Sequence, residues 1–369
     1  MSALGIIFSN IHDNNLPELT VHRTMGSIPF GGRYRLIDFP LSSMVNSHIS
    51  KVGVITKNNY QSLMDHVGSG KDWDLARKNG GLVILPPYSS SDSTSLYQTR
   101  LEALKGIVGF LTHSYDEYVV MSDCDCVCSI DYNKIIDFHI ANDADVTMVY
   151  RIADKANSFH NSIIKTDESG RVTELLGDRS SKETGNQKYL INVFVMKRIY
   201  LINLIQDSIA RGHHHFLQSL MAVNGSARFF GYCFDGHIAT IDSLINYYNA
   251  NMELLNEDVR KELFHDSAVY TKVKDSAPTK YGNCAVVKNS LIADGCVIEG
   301  EVENSILFRG VKVGRGSIVR NAVLMQDTQV LENATVNCII ADKNVLVRER
   351  SVLSGSVEHP FYLSKNARA

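Results

Sequence analysis

The chain has 369 residues and a formal net charge of −3, with 44% hydrophobic and 21% charged residues. That balance fits a globular protein with room for two or three domains. The absence of a long basic run argues against a nucleic-acid partner. No window approaches the roughly 18 consecutive apolar residues of a membrane span. The N-terminus lacks the features of a secretory signal, so the expected compartment is the cytoplasm, with the seven cysteines reduced.

The chain opens with an apolar run, Ala3 to Phe8, of the kind that forms a buried strand. In α/β proteins the loop after a first strand commonly holds a nucleotide phosphate, using glycines for close backbone approach and a basic residue for charge. The loop here, Ser9 to Asn15, has no glycine and no Lys or Arg, and it carries Asp13. Further strand candidates follow at Lys51–Thr56, Leu82–Pro86, Glu117–Ser122, Asp145–Tyr150 and Asn192–Lys197. Helix-length stretches lie between several of them, one running from Ser95 to Ser114 with its apolar residues mostly on one face. Such alternation predicts a largely parallel sheet covered on both sides.

Cys124, Cys126 and Cys128 alternate, so on one strand all three would face the same way. That is not the C-x-x-C geometry of a zinc site, and buried apolar thiols are the expected role. His213, His214 and His215 are adjacent, which makes shared coordination awkward and favours a solvated loop. Trp73, the single tryptophan, reads as packing, with site lining as the alternative.

Asn246 to Phe264 is a helix candidate, after which the character changes. From about Asp275 the sequence has short β-type runs and a six-residue beat: Leu307, Val313, Val319; Leu324, Val330, Val336; Ile340, Leu346, Val352. Such repeats mark a β-helix whose periodic aliphatics stack inside. A hexapeptide-repeat acyltransferase would need a histidine base there, and none lies between His265 and His359. The expected units are residues 1–264, a linker 265–282, and the repeat domain 283–369.

The segment Pro29–Ser47, "PFGGRYRLIDFPLSSMVNS", resembles a motif of bacterial ADP-glucose pyrophosphorylases (glucose-1-phosphate adenylyltransferases). "DWDL" (Asp72–Leu75), "LYQT" (Leu96–Thr99), "IDYNKII" (Ile130–Ile136) and "TIDSLINYYNANMELL" (Thr240–Leu255) resemble further motifs in the same order. The resemblance implies a GT-A-like, Rossmann-like nucleotidyltransferase domain followed by a left-handed parallel β-helix. It also implies a reaction in which glucose 1-phosphate attacks the α-phosphorus of ATP and pyrophosphate leaves, with Mg²⁺ at two carboxylates.

Against that pattern this chain departs at four places. The glycine-rich phosphate loop corresponds to Ser9–Leu16, with Ser9, Asn10 and Asp13 in a glycine-free stretch and Asn15 where the family has arginine. Met25 replaces a lysine. Asp125 matches one metal carboxylate, and Asp123 completes a D-x-D pattern, but the segment carrying the second family carboxylate is missing before "GHIATIDS". The sugar-phosphate lysine position is Asp178, a charge reversal. Losses of this kind commonly cost orders of magnitude in rate each.

The resemblance therefore implies the GlgD-type subunit: a regulatory, non-catalytic chain that requires no cofactor and joins a catalytic GlgC-type subunit in a hetero-tetramer. The alternatives are an active adenylyltransferase with a divergent site and a ligand-free assembly scaffold. Asp123 and Asp125 remain candidates for Mg²⁺. Arg33 and Arg35 either pair with acidic neighbours or bind a sugar-phosphate or nucleotide effector.

Overall fold

The computed structural model describes residues 2–87, 96–154, 162–176, 185–223, 225–265 and 267–369. The N-terminal half is built on one sheet. Ala3–Phe8 lies at its centre, parallel to both Lys51–Ile55 and Tyr118–Asp123, and Gly81–Leu85 extends it, again in parallel. Burial on both faces explains why these strands read as continuous apolar runs: one core cluster contains Leu4, Ile6 and Phe8, the other Ile7, Val52 and Val54.

The expectation of a largely parallel sheet needs correction. Asn186–Lys197 runs antiparallel to both Tyr118–Asp123 and Val146–Asp154, and Ile163–Thr166 pairs antiparallel with Val172–Leu176. A meander inserted before Asn186 reverses the chain, so the sheet is mixed. The Asn186–Lys197 strand shifts register between Leu190 and Phe194, where Asn192 has φ 57°, a bulge that bends the strand.

Two long helix expectations resolve into pairs. Within Ser95–Ser114 the helices are Arg100–Gly106 and Val108–Thr112. The first starts where it does because Thr99 and Glu102 form a reciprocal capping box. In place of one helix over Asn246–Phe264 the chain forms Leu244–Glu253 and Glu257–Phe264, the second opened by the Asn256 side chain accepting from the Asp258 N–H.

From Lys280 onward the strands are two to seven residues long and pair in parallel, coil upon coil. Leu307 pairs with Leu324, and Leu324 with Ala341; Val313 pairs with Val330, and Val330 with Val347. The first two aliphatic triplets are buried inside the coils. The third is displaced by one residue. Ala341 and Val347 fill the interior with Leu353 packed against them, whereas Val352 is 73% exposed and Ile340 packs outward on the other domain. A one-residue slip in a two-residue period reverses every side chain.

The two halves share a core. Ile306, Val323 and Ile340, on one outer flank of the β-helix, pack with Phe39, Tyr247 and Leu254. The segment between them is anchored as it passes: the Asn46 side chain donates to the Ala268 carbonyl, and Tyr270 N–H donates to Ser42 Oγ at 2.8 Å.

Candidate functional site

The loop after the first strand begins as a continuation of the sheet. Ser9 N–H donates to the Ile55 carbonyl, and so does Ser9 Oγ, at 2.8 Å. Asn10 then ties the loop down through both ends of its amide. Its Oδ1 accepts from Lys57 N–H at 2.9 Å and from Ser9 Oγ at 3.0 Å; its Nδ2 donates to Asp13 Oδ2 and to the Asn58 carbonyl. Asp13 Oδ1 accepts from Met25 N–H at 2.7 Å. Asn15 closes the single 3₁₀ turn Asp13–Asn15, and Thr20 Oγ1 donates back to the Asp13 carbonyl.

No residue from Ser9 to Leu16 has a positive φ. A phosphate-binding nest needs consecutive N–H groups turned to one side. Here the side chains of Ser9, Asn10 and Asp13 tie the loop to its neighbours, at the Ile55 and Asn58 carbonyls and the Lys57 and Met25 N–H groups. Burial raises the Asp13 carboxyl to about 6, against the two bonds it accepts and the charge of Lys57. Met25 is 1% exposed and belongs to the shared interdomain core, which accounts for an apolar residue at this position. Beside the loop lies a cavity of about 240 Å³ lined by Asn10, Asp13, Lys57, Asn59, Tyr97 and Gln98. Lys57 Nζ stands 5.5 Å from the Tyr97 ring centroid.

Asp123 ends the Tyr118–Asp123 strand, and Asp125 follows at the turn into Cys126–Val127. Both are buried. The backbone around them is firm: Thr240 pairs with Cys126, and Ile241 N–H donates to the Asp125 carbonyl at 2.7 Å. The two carboxylates face cations that sequence reading passed over. His12, from the loop, puts Nε2 2.6 Å from Asp123 Oδ2 and 3.4 Å from Asp125 Oδ2. Arg100 puts Nη2 2.5 Å from the same Asp123 Oδ2. The guanidinium lies among aromatic rings, 5.2 Å from the Phe8 centroid and 5.5 Å from that of Phe194.

The electrostatics follow from this packing. The ligating atoms of His12, Asp123 and Asp125 all lie within 4.8 Å of one another. At an effective dielectric of about 20, two carboxylates no farther apart than that repel by at least about 3.5 kcal/mol. Burial opposes the imidazolium, but Asp125 and Asp123 outweigh burial and raise His12 to about 9. Burial also works against the Asp123 charge, yet Arg100 and His12 hold that carboxyl below its ordinary value. Asp125 is raised, chiefly by burial and then by its neighbour Asp123.

These residues are a poor fit to Mg²⁺. The ion needs oxygen ligands and retained waters. Here Asp123 Oδ2 already meets two cationic donors, and the cluster's formal charge is balanced without an ion. Two acceptors stay unpaired, Asp123 Oδ1 and Asp125 Oδ1.

The remaining sequence candidates separate. Asp178 lies outside the described residues. Arg33 is exposed, its guanidinium 5.7 Å from the Tyr34 ring centroid. Arg35 is half-buried and donates to the Ser62 carbonyl and hydroxyl. Burial lowers Arg35 to about 10. Across the domain join, Lys343 is lowered to about 7 by burial and by Arg35, Arg23 and Lys274, with Asp342 opposing. Arg23 itself is buried against Asp342, Nη2 lying 2.8 Å from both carboxylate oxygens.

The three clustered thiols are free and buried, but on no common strand: the first strand stops at Asp123 and a second starts at Cys126. Burial pushes the Cys128 thiol up to about 12. Trp73 is 1% exposed and packs edge-on against His66, which bonds Asp38 at 2.6 Å. His214 is exposed, and its carbonyl accepts from Thr99 Oγ1.

Comparison with known proteins agrees with this architecture. The family described as nucleotidyl transferase matches residues 13–180, and the GlmU-like C-terminal hexapeptide family matches residues 275–359. The glycogen biosynthesis protein GlgD of Bacillus subtilis (strain 168) is 34% identical over 98% of this chain and 95% of its own. The protein of the same name from Geobacillus stearothermophilus is 37% identical over 86% of this chain and 82% of its own. The glucose-1-phosphate adenylyltransferase of G. stearothermophilus is 32% identical over 86% and 83%.

Proposed function

Since the chain belongs to the family of the glucose-1-phosphate adenylyltransferases and the glycogen biosynthesis protein GlgD, we propose that it is a non-catalytic subunit that modulates a catalytic relative in making ADP-glucose. The observation that carries this reading is the loop after the first strand, glycine-free, without a positive φ, and tied down by Asn10 and Asp13. A leaving pyrophosphate needs free N–H donors and a cation where its charge develops. Asn10 and Asp13 instead bond the loop to itself and to Met25 N–H. With Asn15 in the loop and Met25 buried, two family cations are absent from the same region. The reaction then belongs to the partner, in a hetero-oligomer of two related subunits.

The regulatory half of the proposal rests on the domain join. Burial, Arg35, Arg23 and Lys274 together lower the Lys343 ammonium there, with Asp342, already paired with Arg23, opposing them. Among these, Lys343 and Lys274 add positive charge beside the Arg23–Asp342 pair, and lysine and arginine both suit phosphate. A sugar phosphate or nucleotide seated at this join would contact both domains at once. Arg33 stands outside the cluster, over Tyr34.

A second reading, an adenylyltransferase with a rebuilt site, is favoured by the cavity beside the loop, where Lys57 supplies a cation next to Asp13. The test is to co-express the chain with a catalytic family member and measure ADP-glucose formation with and without phosphorylated sugars. The expected result is co-purification and a changed rate or effector response, lost with Arg35→Gln and Lys343→Met. A catalytic subunit whose kinetics and assembly ignore the chain would refute the proposal.

A further inference from the structure

We propose that Arg100 and His12 take the place of a divalent cation, so that the carboxylate pair Asp123–Asp125 is held assembled by side chains the chain itself provides. The claim concerns how the site is held and stands apart from whether the chain modulates a partner.

Two buried carboxylates at the end of a strand demand positive charge. Arg100 supplies one, and its placement is rigid. Its helix begins at the Thr99–Glu102 capping box, and its guanidinium packs among Phe8, Phe194 and Phe216, the last 6.0 Å away. A permanent guanidinium among aromatic rings is oriented and weakly hydrated, which suits it to a carboxylate. His12 supplies the second contact and bridges both acids, 2.6 Å from Asp123 Oδ2 and 3.4 Å from Asp125 Oδ2.

The bridge matters because of where His12 comes from. It stands in the loop that follows the first strand, whereas Asp123 ends the neighbouring strand and Asp125 follows it at the turn. A metal ion at this spot would tie those two elements together; here an imidazole does. The loop's other bonds, through Asn10 and Asp13, hold His12 in range.

The unpaired oxygens sharpen the inference. Asp123 Oδ1 and Asp125 Oδ1 are buried with no hydrogen-bond partner. With Arg100 and His12 removed, the oxygens of two adjacent buried carboxylates would be left facing one another, a set suited to a hard divalent ion. The wild type should be indifferent to metal, and loss of the cations should create a metal site.

The experiment is a Mn²⁺ titration of the full-length chain, followed by electron paramagnetic resonance, with thermal unfolding in EDTA or in millimolar MgCl₂ or MnCl₂. For the wild type the expected result is no stoichiometric Mn²⁺ and no change in Tm. Arg100→Lys keeps a charge and should behave the same way. The double variant Arg100→Met, His12→Asn should gain one Mn²⁺ per chain and an upward Tm shift of several degrees at saturating Mn²⁺; Asp125→Asn added to it should abolish both. A wild-type chain that binds stoichiometric Mn²⁺, lost on Asp125→Asn, would overturn the proposal, and that arm decides even if the double variant fails to fold. A folded double variant that binds no Mn²⁺ would overturn it as well.

Discussion

Arg23 and Asp342 offer the sharpest test of how the two halves are joined. They are 3% and 2% exposed, and one guanidinium nitrogen lies 2.8 Å from both carboxylate oxygens. Asp342 also accepts from Lys343 N–H at 2.7 Å, while Arg23 has Met325 Sδ as its other neighbour. Asp342→Ala would leave a guanidinium buried at the interface with no counter-charge. Breaking one partner of a buried pair costs about 3–5 kcal/mol, whereas replacing both by apolar groups is often neutral. For 369 residues unfolding as one unit, at roughly 2.1 cal/mol/K per residue, that is a fall in Tm of about 4–6 °C. The assay is thermal and urea unfolding of wild type, Asp342→Ala, and the double variant Arg23→Met, Asp342→Leu. The double variant should recover most of the loss. A single variant that costs under about 1 kcal/mol, or a double variant no better than the single, would refute the reasoning.

Three other outcomes are expected. Lys343 is lowered from 10.5 to about 7, so between those values the unfolded chain binds more protons and stability rises with pH; Lys343→Met should remove that slope and be more stable than wild type below about pH 7, read from urea midpoints. A Cβ on Gly300 would lie 2.4 Å from the Ser317 carbonyl oxygen and 2.7 Å from that of Gly314 in the next coil, so Gly300→Ala should destabilise the β-helix by about 1–3 kcal/mol in urea unfolding. Asn10→Ala removes four loop bonds and should cost about 1–3 kcal/mol, with faster amide exchange confined largely to residues 9–15, seen by hydrogen-exchange mass spectrometry.

The loop's altered chemistry was legible because it is local: a missing glycine or arginine is visible in the chain itself. Asp123 and Asp125 were legible for the same reason, being two residues apart. His12 and Arg100 were not, because their meaning depends on the sheet bringing residues 12, 100 and 123 together, and a lone His or Arg carries no pattern. Arg23, Lys343 and Asp342 stayed hidden likewise, since the domain join is a tertiary fact. The β-helix announced itself through its period. Its last triplet was misassigned because Ile340 and Val352 are aliphatic enough to imitate interior residues, yet Ile340 packs on the other domain and Val352 faces out. The antiparallel meander was missed because its strands Ile163–Thr166 and Val172–Leu176 are short and carry few apolar residues in a row.

The central claim is that this chain has kept the family's frame without its chemistry. The direct test is pyrophosphate release from ATP and glucose 1-phosphate with Mg²⁺, by the purified chain alone and then with a catalytic family member present. The account predicts background release from the chain alone and a rate in the mixture that differs from that of the catalytic member by itself. Sustained turnover by the chain alone would contradict it.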